Sequence, residues 1–476
     1  MKNAVQNLGD ALVEAVGLKQ VVAAADIDER YRIDITKAYA SSPAFLVRPA
    51  TTEEVAAVVR VAAAHRTPIT VIGGQTGTVG SAIPLDAGIA LSLERMNRIS
   101  EIDRLSMTMT VEAGCILQRA QEAAEEAGTL LPLDLGARGS ATIGGVIGTN
   151  AGGNRVLRWG MMRDMVIGLE AVLADGSVIS SLTKMLKDNA GYNWKHLIIG
   201  SEGTLGIVTR AVLRLRPLPT TRQTALVAMN DFEACVKVLR RLEVELSGRL
   251  SSFEVMWEDF YKRMTEAQLA ARPRPLSLGY PVYALVEAMG GDDASDHAQF
   301  ERALNKLLED SVIQDAIIAQ HEGQRRALWS VREDMQRGLE PMRPIRSYDV
   351  SMGVADMPRF VTAARRNISA AFQNAQAIFY GHVGDGNLHA IVTIGAPMDA
   401  EIQKRLDASV FDAVRDVNGS ISAEHGIGMS RAFFLSWTRS PRELQLMRAL
   451  KETLDPQNIL NPGKLLDACE DVRQSV

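Results

Sequence analysis

The sequence predicts an α+β protein with two principal domains, and three observations carry that expectation. The chain has 476 residues, more than a single hydrophobic core usually serves. From residue 73 to 219, short β-branched runs alternate with glycine-rich turns. From about 224 to 420, strand-like runs alternate with long polar helical stretches, the pattern of a separate α+β unit. A hydrophobic fraction of 46% and a charged fraction of 23% are ordinary globular values, so two packed cores are affordable without a membrane.

Residues 1–41 read as a helical N-terminal segment, its apolar positions interrupted by Asp10 and Glu14. The profile is not secretory, and no run approaches the length of a membrane span. TTEEVAAVVRVAAAHR then reads as a helix. Thr51 and Glu54 have capping-box spacing, and Val55, Val58, Val59 and Ala62 mark one face. PITVIGG (68–74) follows as a short strand ending in glycines, which completes a β–α–β opening. A first domain is placed at 42–219, closed by the proline-containing stretch 217–219. QTALVAMN, PVYALVEAM, AIFYGHV and NLHAIVTI are the expected strands of a second domain, 220–425. LQLMRALKETLDPQNILNPGKLL, a helix and then a loop, lies in a C-terminal segment, 426–476, expected to return to the first domain.

Charge excludes some functions. With 52 basic and 57 acidic side chains the net charge is −5, which argues for neither nucleic-acid binding nor a polybasic membrane anchor. Cys115, Cys235 and Cys469 are far apart and form no CxxC pair, so they read as reduced packing residues of a cytoplasmic protein.

Four glycine-dense loops crowd the first half: GGQTGTVGS (73–81), DLGARGSATIGG (134–145), NAGGNR (150–155) and GSEGTLG (200–206). Any one of them is an ordinary tight turn. Four in one domain point to backbone N–H groups that approach a pyrophosphate closely. The cofactor is not read by the usual nicotinamide fingerprint, because Gly73, Gly74 and Gly77 do not have GxGxxG spacing, and no Walker loop is present.

PITVIGGQTGTVGSAIP, PLDLGARGSATIGGVIGTNAGGNRVLRWGMMRDMVIGLEAVLADGSVI and GYNWKHLIIGSEGTLGIVTRAVLRL closely resemble the PCMH-type FAD-binding domain of the vanillyl-alcohol-oxidase-like flavoproteins. The resemblance runs in order from about 42 to 466. It is strongest to the branch holding D-lactate dehydrogenase, D-2-hydroxyglutarate dehydrogenase and the glycolate oxidase flavin subunit. It implies that Gly73, Gly74, Gln75, Thr76 and Gly77 hold the FAD pyrophosphate. Ser140, Gly144, Gly145, Asn150, Gly153 and Ile207 would line the rest of the cofactor, and Asn461 of ILNPGK would reach the flavin or simply begin a turn. The first loop has no His, Cys or Tyr to tether a flavin, so non-covalent FAD is expected.

A metal site is read from AIFYGHVGDGNLHAIVTI (377–394). Asp385-Gly386 between two β-rich runs signals a two-residue hairpin turn, a register that sets His382 opposite His389. Directly opposed residues share a face with Cβ atoms about 5 Å apart, a good span for two imidazoles on one ion. Glu424 and His425 lie among small residues in SAEHGIGMSR (422–431), and three of the chain's seven histidines fall in these two stretches. Two histidines and a carboxylate leave open positions on a divalent ion; Zn is expected, with Mn the alternative. The resemblance implies that His382, His389 and Glu424 bind the metal and that His425 is the base.

The activity this predicts is dehydrogenation of a D-2-hydroxy acid, with hydride transfer to the flavin and electrons passed to an acceptor protein or quinone. Arg332 matches the family's carboxylate-binding arginine. Gln336 and Ser347 depart from the 2-hydroxyglutarate-oxidising relatives, which have Thr and Lys there. Arg346 is a candidate replacement cation, although in a regular strand it faces away from Ser347. Asn387 is a candidate to orient a substrate oxygen; the sequence does not fix the oligomeric state, and the relatives are often dimers, which leaves a homodimer open. The rival readings are an oxygen-using flavin oxidase, a non-redox flavoenzyme of the alkyl-glycerone-phosphate synthase kind, and a flavin-free metal hydrolase.

Overall fold

The computed structural model describes residues 2–466, with side chains from Val5 onward, so Cys469 and the end of the C-terminal segment lie outside the described residues. The chain divides into two units. One comprises Met1–Gly153, Gly160–Leu218 and the described part of Glu424–Val476; the other comprises Asn154–Trp159 and Pro219–Ala423. No helix of the described residues is long and apolar enough to cross a membrane.

After an N-terminal helix, Lys2–Val16, the first unit forms the β–α–β arrangement. Strands β1 (Val21–Ala23), β2 (Phe45–Val47), β3 (Ile69–Ile72) and β4 (Ile89–Ser92) form a sheet in the order β1-β2-β4-β3. β2 and β3 both run parallel to β4, and β1 is antiparallel to β2. Helix Thr52–His65 is the crossover, and Val55, Val58, Val59 and Ala62 are fully buried on its inner face. Only half of the expected capping box forms. Thr51 Oγ1 accepts the Glu54 N–H at 3.2 Å, whereas the Glu54 carboxylate takes the N–H of Ala50 at 2.7 Å.

The remaining strands of this unit are β5 (Ile99–Asp103), β6 (Thr108–Glu112), β7 (Thr129–Leu130), β8 (Val166–Val172), β9 (Val178–Ser181), β10 (Ile207–Arg214) and β11 (Arg216–Pro217). Five of them make an antiparallel sheet, β5-β6-β10-β8-β9, and β7 pairs with β11. Glu170 of β8 ties this sheet to the crossover helix. It accepts hydrogen bonds from Thr52 (2.7 Å), Thr209 (3.0 Å) and Arg210 (2.7 and 2.5 Å). Burial pushes its carboxyl up, but those donors outweigh burial and hold it at about 2. The C-terminal segment runs beside β3: Ile69 N–H donates to Ile459 O and Asn461 N–H donates to Ile69 O, both at 2.7 Å.

The second unit is one antiparallel sheet. Its strands are β12 (Thr221–Met229), β13 (Leu250–Trp257), β14 (Val282–Gly290), β15 (Asp315–Ile318), β16 (Arg346–Ser351), β17 (Gln376–His382) and β18 (Asn387–Thr393). Their order is β15-β12-β14-β13-β17-β18-β16. β12, β13, β14 and β18 are buried along nearly every residue, because helices cover both faces. One face carries Met256, Tyr283, Leu285, Ile378, Tyr380 and Ile391, packed against Phe260, Tyr261, Leu328 and Trp329 of helices Glu258–Glu266 and Glu322–Glu333. On the opposite face, helix Met357–Ala371 meets Phe379 through Phe360, and helix Ala400–Arg415 meets Tyr348 through Phe411.

Candidate functional site: a histidine pair and a glycine-lined cradle

The hairpin that carries the two histidines forms, with a different turn and register from those the sequence suggests. The connection has four residues: a 3₁₀ turn at Val383–Asp385, then Gly386 in the left-handed region at φ 88°. Asp385 Oδ1 accepts the Asn387 N–H at 3.1 Å, an Asx-type closure that competes with a two-residue turn. His389 is therefore paired with Tyr380, not with His382. Since side chains alternate along a strand, His382 still shares the face of Tyr380 and His389. The two imidazole centroids are 5.3 Å apart with ring planes at 81°, and both residues are buried.

Glu254, to which sequence analysis assigned no role, organises this face. It stands directly opposite His382 across β13 and β17 and is fully buried. Its Oε1 lies 2.5 Å from His382 Nδ1 and its Oε2 accepts Arg332 Nε at 2.8 Å. Burial raises its carboxyl, but the adjacent His382 and Arg332 prevail and hold it below the ordinary value. With Nδ1 of His382 committed to a carboxylate, Nε2 is the nitrogen that could ligate a metal. Arg332, itself buried, lays its guanidinium 4.4 Å from the centroid of the Tyr380 ring. Asp349 is paired with His389 in register, with its Oδ1 3.9 Å from Nδ1, too far for a hydrogen bond. The one sequence signal for Glu254 was a lone charge in the otherwise uncharged run LSSFEVMW.

Asn387 lies on the same face, and both polar atoms of its buried amide lack a hydrogen-bond partner among the described residues. Such a group costs on the order of 1–3 kcal/mol unless something pairs with it, so the face fits a polar ligand beside two imidazoles. Arg346 does not join it. Its Nε and Nη2 bind Asp407 at 2.5 and 2.6 Å, and Nη1 reaches Gln403 at 3.2 Å. Strand alternation turns Arg346, expected from the sequence as a candidate substrate cation, with Tyr348 toward the helix on the other face. Ser347, next in β16, is on the histidine face and exposed.

The first unit gathers the glycine loops. A Cβ on Gly74 would fall 1.9 Å from Ser140 O, and one on Gly73 would fall 2.7 Å from Thr142 Oγ1, so loop 73–77 lies against the Ser140–Gly145 stretch. Gly77 faces open space, and Thr76 is half-buried. Gly144 approaches Ala113, and Gly145 N–H caps on Thr142 Oγ1 at 3.3 Å. Gln75, Asn150, Glu202 and Asn461 all adopt φ between 46° and 53°, unusual for residues other than glycine. Gly153, at φ 94°, donates its N–H to Glu424 at 2.8 Å. Glu424 and His425 are both half-buried and belong to this unit, whereas His382 and His389 belong to the other. Ile207 begins β10 with its side chain inside the core.

Asn461 holds three segments together. Its Nδ2 donates to Ser81 O (3.0 Å) and Glu202 O (2.7 Å), while its buried Oδ1 lacks a partner among the described residues. Glu202, also missed from sequence, accepts from Ser81 Oγ and from the N–H groups of Ile427 (2.7 Å) and Gly428 (2.9 Å). Burial raises its carboxyl despite those donors. Lys464 is buried with no hydrogen-bond partner for Nζ among the described residues; burial pushes it down to about 8, partly opposed by Glu202. These unpaired groups fit a large polar cofactor in the glycine-lined cradle.

Comparison with known proteins agrees with this construction. The family of FAD linked oxidases, C-terminal domain, matches residues 218–465, and the FAD binding domain family matches 43–181. D-2-hydroxyglutarate dehydrogenase of Xanthomonas citri pv. viticola is 37% identical over 444 residues, covering 92% of each chain. The mitochondrial D-2-hydroxyglutarate dehydrogenase of Bos taurus is 35% identical over 456 residues, 96% of this chain and 83% of its own. Among solved structures, p-cresol methylhydroxylase with substrate bound superposes with a TM-score of 0.77 at 18% identity, over 98% of both chains. An alkyldihydroxyacetonephosphate synthase superposes with a TM-score of 0.74 at 19% identity, over 96% of this chain and 85% of that one. At such identities the likeness speaks for the fold alone.

The fold is thus a PCMH-type FAD-binding domain joined to an α+β domain with an antiparallel sheet. The chain belongs to the family of FAD linked oxidases and is an FAD-dependent oxidoreductase.

Proposed function

We propose that this flavoenzyme is a metal-assisted dehydrogenase that oxidises a D-2-hydroxy acid to the 2-oxo acid. When bound, FAD supplies the hydride acceptor at N5 and a divalent metal supplies the Lewis acidity that makes the substrate hydroxyl acidic enough to deprotonate. His382 and His389, with Glu424, are the residues that would hold the metal, Zn or Mn. Arg332 binds the substrate carboxylate through its fork, Asn387 hydrogen-bonds a substrate oxygen, and His425 accepts the hydroxyl proton. The observation that carries the proposal is the shared face: two buried imidazoles, a buried guanidinium and an unpaired amide on adjoining strands and one helix.

The relatives' names point to D-2-hydroxyglutarate, which has a second carboxylate. The commitment of Arg346 to Asp407 favours a substrate of the D-lactate type, with one carboxylate. A panel of D- and L-2-hydroxy acids with an artificial electron acceptor tests this. D-Monocarboxylates should turn over best and L-isomers hardly at all; equal rates with plain secondary alcohols would contradict the carboxylate clamp. Low peroxide yield under air is expected for an enzyme that passes electrons to a protein or quinone.

A further inference from the structure

We infer that Glu254 is a positioning residue that couples the metal-binding imidazole of His382 to the carboxylate clamp of Arg332. The inference rests on the proposed function and adds a residue that touches neither substrate nor cofactor. Three facts support it. Glu254 is completely buried, it is the lone charge of β13, and each of its oxygens serves a different candidate group: Oε1 meets His382 Nδ1 and Oε2 meets Arg332 Nε.

The geometry of the two partners makes this a division of labour. An imidazole held at Nδ1 has its Nε2 direction fixed, because the two nitrogens are rigidly related. A guanidinium held at Nε presents its two Nη groups as an oriented fork, while Tyr380 supports its face. One carboxylate thus sets the direction of metal ligation and the direction of carboxylate binding together. Glutamine cannot replace it. The amide has one acceptor, so either His382 Nδ1–H or Arg332 Nε–H would face an NH₂ group. Aspartate is one methylene shorter and cannot span both partners.

The same sheet supplies a control. Glu287 of β14 is also a buried carboxylate facing helix Glu322–Glu333, and it binds Trp329 Nε1 (2.8 Å), Thr224 Oγ1 (3.0 Å) and Arg325 (3.5 Å). None of its partners is a candidate site residue, so its contribution is to stability alone.

The experiment uses the FAD-loaded full chain. Zinc affinity is measured by competition with a chromogenic chelator, and binding of pyruvate, a 2-oxo monocarboxylate, by perturbation of the flavin spectrum. In Glu254→Gln both affinities should fall by about tenfold or more, with FAD retained. In Glu287→Gln both should stay within about twofold of wild type while the melting temperature drops. Wild-type affinities in Glu254→Gln, or parallel losses in the two variants, would overturn the inference. Should Glu254→Gln fail to fold, Glu254→Asp gives the same readings. Loss of the folded flavoprotein in both would assign Glu254 to stability and overturn the coupling. A wild-type protein that binds no zinc or manganese would sink the parent reading, a result distinct from any of these.

Discussion

His382 and His389 face each other at 5.3 Å between ring centroids although they are not partners in the strand register, His389 being paired with Tyr380. Glu254 lies against one ring, and both rings are on the same face of the sheet. His382→Ala should therefore lower zinc affinity by more than about tenfold and abolish turnover, with the flavin absorbance near ~450 nm retained. Metal titration of the yellow protein checks this; unchanged zinc affinity would remove His382 from the site.

Arg332 and Arg346 should separate in KM, since each leaves a buried carboxylate without its arginine when replaced. Arg332→Gln removes a charge-assisted contact worth on the order of 1.5–3 kcal/mol, so KM for the hydroxy acid should rise about 10- to 100-fold. Arg346→Met leaves Asp407 buried without its partner and should cost roughly 3 kcal/mol of stability, with KM little changed. Steady-state kinetics and thermal melts of both variants decide the assignment; a large KM effect at Arg346 would return it to the substrate.

Ser347 offers a gain-of-function test. It is on the histidine face and exposed, so Ser347→Lys places an ammonium where a distal carboxylate can meet it. Activity on D-2-hydroxyglutarate relative to D-lactate should rise about tenfold. No change in that ratio would show that the distal end of the substrate lies elsewhere.

Lys464 predicts a pH effect. Its folded pKa of about 8 is below the 10.5 of the unfolded chain, so the unfolded state binds more protons between these values. Stability from this group therefore rises as pH climbs from 8 toward 10.5, and the cost of its burial is fully present below 8. Lys464→Met should raise stability at pH 7 by on the order of 1–3 kcal/mol and flatten that rise. Melting curves of both proteins between pH 7 and 10 check it, and a less stable variant at pH 7 would contradict it. Glu170 acts in the opposite sense. Its stabilisation is present above pH 4.5 and is lost as pH falls toward 2.

Much of this was legible in the sequence because it depends on period and composition. Val55, Val58, Val59 and Ala62 announced a buried helix face, and PITVIGG announced β3. Histidine spacing around Asp385-Gly386 pointed to a shared face even though the turn was misjudged, since a register shift of two residues preserves side-chain direction. What stayed hidden depends on distant pairing. Glu254 precedes His382 by 128 residues and meets it only through the order of β13 and β17. Arg346 looked like a spare cation until Asp407, 61 residues later, was placed against it. The short excursion of Asn154–Trp159 into the second unit leaves no periodic trace at all.

The proposed function requires the histidine pair to hold a metal on which the oxidation depends. Rapid anaerobic mixing of the holoenzyme with D-lactate, followed at the flavin absorbance, tests it most directly. After chelator treatment that leaves FAD in place, flavin reduction should slow by at least about a thousandfold and recover on adding zinc or manganese. Reduction at the original rate in metal-free protein would rule out a metal requirement.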